Sequence, residues 1–283
     1  MATSSFMGDW QVCEYVFSPS GEYCGSINQK RTLHKVSDGI LVHQECRPNP
    51  DLSHPQMKAF DGAYDFHLVV EGGKRFYQGP DVVGQGLGFG PDHMVGSGIW
   101  PQFGYNFESY AMMYDPQTQL TGGLFFKGCE LMAVICGVAR LGGEPPPALE
   151  LDYAPFGRDH WVGELQQWTA SGQKLADTDV ERHYHDGQIY TQDSFGRSTQ
   201  WQGEARDGYE LVVSEGSRGI ARSYGCLRLT EVYGLQGGHE KTIEVSFNKG
   251  VPTILSLSLC YQDKTLVEGV SGRLKAKERG KDD

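Results

Sequence analysis

The chain repeats itself, and the repeat limits what it can fold into. Trp10 and Phe17 recur as Trp161 and Trp168, each 151 residues further on, and Ser20-Gly21 recurs at the same interval as Ser171-Gly172. The matches continue in order. Lys35-Val-Ser-Asp38-Gly39-Ile-Leu-Val is followed in the second half by His183-Tyr-His-Asp186-Gly187-Gln-Ile-Tyr. Both are Asp-Gly turns between strand formers, a hairpin signal. Tyr64-Asp-Phe-His-Leu-Val-Val matches Tyr209-Glu-Leu-Val-Val, and the closing runs are Leu131–Arg140 and Leu266–Leu274. Repeats this long are domains rather than solenoid units.

The separator is Gly142-Gly-Glu-Pro-Pro-Pro-Ala148, whose prolines cannot extend a strand ladder because they donate no backbone hydrogen bond. The expected division is an N-terminal barrel over 1–141, a linker over 142–156, and a C-terminal barrel over 157–283 with a short charged tail. Short β-branched and aromatic runs alternate with turns along both halves, as in Gln29–Val36, Ile40–Cys46 and Thr178–Tyr184. The 38 glycines exceed the usual share of ~7%, and capped 3.6-period stripes are nearly absent. The expected fold class is all-β: two tandem antiparallel barrels produced by an internal duplication.

Charge and cysteines restrict the partners. A formal net charge of −11 is a poor match for nucleic acid or anionic membranes. Met1–Phe6 lacks a basic region, and Leu131–Val138 is far too short to span a bilayer. The seven cysteines are odd in number and contain no Cys-x-x-Cys pair. Reduced thiols in a cytoplasmic protein are the expectation, with no nucleic acid and no membrane as partner. A second copy of the chain, making a homodimer, is left open.

The early Trp of each half, the meander that follows it, and the closing strands ending in Arg140 and Arg273 resemble the lipocalin or calycin plan. That plan implies that the early Trp and late Arg pack together at the base of the barrel. Gly98-Ile-Trp100-Pro-Gln-Phe-Gly104 through Tyr114, with Phe17-Ser-Pro-Ser-Gly-Glu22 and the second-half opening, more specifically resembles a two-barrel family of cyanobacteria and photosynthetic eukaryotes, DUF3598, related to phycobiliprotein lyases. The resemblance implies a fold and supplies no catalytic residues. It also implies a hydrophobic ligand, since calycin barrels bind such molecules and some relatives attach bilins, hydrate carotenoids or cyclise substrates.

Read from the residues, the site belongs to the first half, in the longer Gly- and aromatic-rich stretch between 72 and 106. Gly84, Gly86, Gly88 and Gly90 fall at period two, so in a strand they share one face without side chains. A backbone or a flat ligand can approach there, or the strand bends at a corner. Trp100, Phe103, Tyr105 and Phe107, with Phe89 and Met112, are the candidate ligand-binding set. Phe103, Tyr105 and Phe107 alternate and so share a strand face; core filling competes with a ligand cavity as their explanation. Glu108 and Tyr110 on the opposite face, and His67 in its own strand, are the candidate polar or catalytic groups.

Glu181, His183 and His185 also alternate on one face. No third metal ligand lies at a suitable distance in sequence, so the face reads as the solvated side of a strand, with Arg182 and Tyr184 pointing inward. No metal and no cofactor is expected. The leading expectation is binding of a hydrophobic or conjugated small molecule, such as a tetrapyrrole, terpenoid or polyketide. The alternatives are a cofactor-independent cyclase, isomerase or lyase in natural-product or pigment biosynthesis, and a non-catalytic scaffold.

Overall fold

The computed structural model describes residues 4–151, 160–185, 187–194, 198–206 and 208–277. Asp186 of the second Asp-Gly turn lies outside them. The first half holds β1 (Gly8–Phe17), β2 (Tyr23–Val36), β3 (Gly39–Pro48), helix α1 (Pro55–Lys58), β4 (Gly62–Glu71), β5 (Lys74–Gln78), β6 (Val83–Phe89), β7 (His93–Trp100), β8 (Tyr105–Asp115), β9 (Thr118–Lys127) and β10 (Glu130–Leu141). The second holds β11 (His160–Thr169), β12 (Lys174–His185), β13 (Gln188–Asp193), β14 (Ser198–Arg206), β15 (Tyr209–Ser214), β16 (Ser217–Tyr224), β17 (Leu227–Gly234), β18 (Gly238–Lys249), β19 (Val251–Gln262) and β20 (Thr265–Ala276).

Each half is one closed antiparallel barrel of ten strands. Every strand pairs with its sequence neighbours, and β1 with β10 or β11 with β20 closes the ring. An even number of strands allows an up-and-down meander to close antiparallel. Ten strands are more than the eight of a lipocalin, and the interior widens with strand number. No helix among the described residues is long and apolar enough to cross a membrane. The chain divides into two compact units, Met1–Leu149 with Ser171–Gln173 and Glu150–Ala170 with Lys174–Asp283.

Alternation sets which side chains enter the barrels. Along β1, Trp10, Val12, Glu14 and Val16 are buried, while the residues between them are not. The repeat extends to irregularities of pairing. The β1–β2 ladder shifts register between Val16 and Phe17, and the β11–β12 ladder shifts at the matching place, between Gln167 and Trp168. The turns that follow place Gly21 at φ +91° and Gly172 at φ +79°, the left-handed region in which glycine carries no steric penalty.

Two expectations require correction. Arg140 lies opposite Gln11 and Arg273 opposite Glu164, so both closing arginines point to the face away from the tryptophans. Arg140 instead donates to Thr118 Oγ1 at 3.1 Å and Gln117 Oε1 at 3.0 Å. The arginine beside each early tryptophan comes instead from the second strand of its barrel: Trp10 faces Arg31 and Trp161 faces Arg182, again 151 residues apart. The largest difference between connections of the two halves also lies elsewhere than 72–106, which forms β5–β7, the joining turns and the start of β8 in a barrel with the same number of strands as the other. It lies between β3 and β4, where residues 49–61 stand against 194–197 between β13 and β14. The longer connection carries α1 and buries Leu52, Met57 and Phe60.

Candidate functional site

The interior of the first barrel is layered. At the end where β1 begins, Phe6, Trp10, Ala111, Met113 and Ala139 pack together, and the Trp10 indole N–H donates to the Phe6 carbonyl at 3.1 Å. At the other end Phe60 is the hub of an aromatic cluster. Its ring centroid is 4.3 Å from Phe103, 5.4 Å from Trp100, 5.3 Å from Phe125 and 6.2 Å from Tyr105. Such tilted and edge-to-face pairs add about 0.5–1.5 kcal/mol each beyond burial. The connection 49–61 thus plugs one mouth with aromatic rings.

Between the two apolar layers lies a cavity of about 160 Å³. Phe60, Trp100, Phe107 and Phe125 bound its apolar side, and Glu14, Gln29 and Arg31 contribute polar groups. Gln29 Nε2 donates to Glu14 Oε2, Arg31 donates to Gln29 Oε1 at 3.0 Å, and Arg31 lies 3.6 Å from Glu14 Oε1. Burial pushes the Glu14 carboxyl above the usual range, with the Arg31 charge opposing it. Among the described residues, the Arg31 Nε is buried without a hydrogen-bond partner.

The glycine face points into this barrel. A methyl group on Gly96 would meet the Tyr77 hydroxyl at 2.5 Å, one on Gly98 the Phe107 ring at 2.9 Å, and one on Gly88 the Arg75 guanidinium. The protein's own rings therefore lie on the bare strands, and no external flat molecule is needed to fill that space. Burial raises the Tyr77 hydroxyl and lowers Arg75.

The sequence-derived candidates divide into three groups. Trp100 and Phe107 line the cavity, and Tyr105 is buried in the aromatic cluster behind them. Phe103 belongs to that cluster from a turn rather than a strand, since β8 begins at Tyr105 and the Phe103 amide donates to the Trp100 carbonyl. Glu108, Tyr110 and Met112 take the outward register of β8, with the Tyr110 hydroxyl over Gly122 and Met112 fully buried, while Glu108 and Tyr110 also border the cavity. Phe89 is fully buried on the outward face of β6. His67 is on the outward face of β4, with Nε2 3.4 Å from Asp38. Three intervening strands separate it from Glu108 and Tyr110, so the structure does not bring these three together. Glu14, Gln29 and Arg31 were not singled out in sequence. The available signal was Glu14 itself, a carboxylate in the inward register of Trp10, Val12 and Val16.

The second barrel has a different interior. Arg182 pairs with Glu244 and donates to the Tyr184 hydroxyl at 3.2 Å, and Arg228 pairs with Glu210 at 2.8 Å. Arg228 and Glu244 face each other across β17 and β18, so the four charges alternate in sign. As expected, Arg182 and Tyr184 point inward.

On the outside of that barrel, His160 at the start of β11 lies opposite His183 on β12. Their rings stack at 4.2 Å, and Glu181 adjoins both, 3.7 Å from His160 Nε2 and 4.0 Å from His183 Nε2. Partial burial, His183 and Lys277 hold the His160 imidazole below its ordinary pKa.

No protein-family model and no curated protein matches the sequence. Among solved structures, a protein of unknown function from the DUF3598 family of Nostoc punctiforme matches over 96% of this chain and 97% of its own, at 14% identity and a TM-score of 0.64. In fold, the chain resembles a DUF3598 protein. At that identity the likeness to DUF3598 speaks for architecture alone. Kievitone hydratase from Nectria haematococca covers 98% of this chain and 90% of its own at 9% identity and a TM-score of 0.20. Transferrin binding protein B from Neisseria meningitidis covers 95% and 76% at 6% identity and a TM-score of 0.28. These last two likenesses are too slight to carry an argument.

Proposed function

We propose that the first barrel binds a small molecule with a flat apolar body and one polar group. The cavity between the aromatic plug and the Glu14–Gln29–Arg31 cluster carries this reading. A closed apolar cavity of roughly 150 Å³ accepts a benzene-sized guest. The volume of about 160 Å³ therefore favours a small terpenoid or one-ring polyketide. A tetrapyrrole would require displacement of Phe60 and α1. The seven cysteines are joined by no disulfide, which supports a cytoplasmic setting.

The test is a thermal-shift panel of monocyclic terpenoids and phenols against the whole protein. A true ligand at a hundred times its Kd stabilises by about 2.7 kcal/mol. Ala111→Leu, which fills the cavity, removes that shift. A melting temperature unmoved by every compound overturns the proposal.

A second reading rests on Glu14. A carboxyl whose pKa is raised by burial beside a cavity suits proton transfer, the one chemical step that a cofactor-independent cyclase, isomerase or lyase needs from a side chain. Loss of turnover in Glu14→Gln with ligand binding retained supports catalysis; turnover that survives the substitution removes Glu14 from the role.

A further inference from the structure

The second barrel carries a cluster that the cavity does not use. We propose that His160, Glu181 and His183 form a binding site for a divalent transition-metal ion of the zinc class on the outer face of β11 and β12.

Strand pairing brings the three side chains together. Glu181 and His183 are two residues apart on β12, so they share a face, and His160 is the residue directly across from His183. Cross-strand partners stand close enough for their side chains to meet. One ring nitrogen of each histidine and one carboxylate oxygen lie within 4.8 Å of one another. An ion with bonds of about 2.0–2.2 Å in tetrahedral geometry holds its ligands at roughly 3.3–3.5 Å. The Nε2 separations of 3.7 and 4.0 Å, each to a different Glu181 oxygen, are near that, and the two stacked rings must turn out of parallel for both nitrogen lone pairs to meet one ion.

A second observation points the same way. Among the described residues, His160 Nε2 is buried and has no hydrogen-bond partner. A buried ring nitrogen without a partner is a costly arrangement that a bound cation would relieve. Two imidazoles and one carboxylate fit zinc, nickel or copper rather than magnesium or calcium, which prefer all-oxygen sites. Three protein ligands leave one position for water. Lys277 Nζ lies 3.9 Å from Glu181 Oε1, so in the metal-free protein a lysine competes for the same carboxylate.

The first barrel supplies an internal control. His43 lies between Glu45 at 3.5 Å and Asp65 at 2.8 Å. That group offers one imidazole, already hydrogen-bonded to Asp65.

The experiment uses the whole protein after chelator treatment. Zinc chloride is titrated by calorimetry, and cobalt(II) is followed by its visible absorption, which reports coordination geometry. We expect one zinc equivalent whose affinity falls about tenfold or more in His160→Ala, Glu181→Gln and His183→Ala. Lys277→Gln should tighten binding, and His43→Ala should leave it unchanged. Glu181 is half exposed, so Glu181→Gln keeps the test valid even if a histidine variant folds poorly. Zinc uptake equal in wild type and all three ligand variants, or no uptake by the wild type, overturns the site.

Discussion

The two barrels have one strand plan and opposite interiors. Both contain ten strands, a register shift after the same inward stretch, and a Trp facing an Arg across the first hairpin. The first barrel then surrounds its arginine with glutamine, a carboxyl pushed toward its neutral form and an aromatic plug. The second pairs its arginine with Glu244 and adds Arg228 and Glu210. A buried charge needs a partner, and each barrel has met that demand differently: Glu14 comes from the neighbouring strand, Glu244 from a strand across the barrel. The common framework therefore belongs to the fold, and the divergent filling is where binding is to be sought.

Removing the arginines tests this contrast most strongly. Arg182→Met leaves Glu244 buried without its cation and should cost about 3–5 kcal/mol in urea unfolding. Arg31→Met should cost only about 1–2 kcal/mol at pH 5, because Glu14 can take up a proton instead. Equal losses would show that the two interiors are electrostatically alike. Next comes the plug. Phe60→Ala should destabilise by about 3 kcal/mol and open one mouth of the first barrel, seen as faster quenching of tryptophan fluorescence by a neutral quencher. Between β13 and β14 of the second barrel the sequence leaves only four residues against the thirteen of 49–61.

The smallest effect is a slope with pH. Burial raises the Glu14 carboxyl, so the folded protein binds that proton more tightly than the unfolded chain. Its stabilising contribution is full below the ordinary glutamate value of about 4.3 and is lost as pH rises through the folded value. Glu14→Gln cannot ionise, so its stability relative to wild type should climb from pH 4 to pH 7 in denaturant titrations. A flat difference would place Glu14 in contact with water.

Much of this architecture was legible. The 151-residue repeat named the barrels, and period-two glycines named a bare strand face. The residues that cover that face were not legible, because Tyr77 and Phe107 reach it only through the pairing of β5 with β6 and β7 with β8. The aromatic trio was partly misread for a local reason: Pro101 and Gly104 turn the chain before the strand begins. His160 was within reach. Reflecting the sequence about the Ser171-Gly172 turn sets it opposite His183, but residues that meet across a hairpin do not announce themselves as neighbours. The importance of 49–61 was hidden because a short helix rich in contacts carries little periodic signal.

The closure of each ring has a kinetic consequence. Nearly all pairings in the meander join strands adjacent in sequence, and these can form as local hairpins. The β1–β10 and β11–β20 seams join opposite ends of a half, so each must wait for a long loop to close. Until then, the first and last strands of each half present open edges able to pair with the wrong copy. In a chain built from two like units, the slow step of folding is also the moment at which one unit can be mistaken for the other.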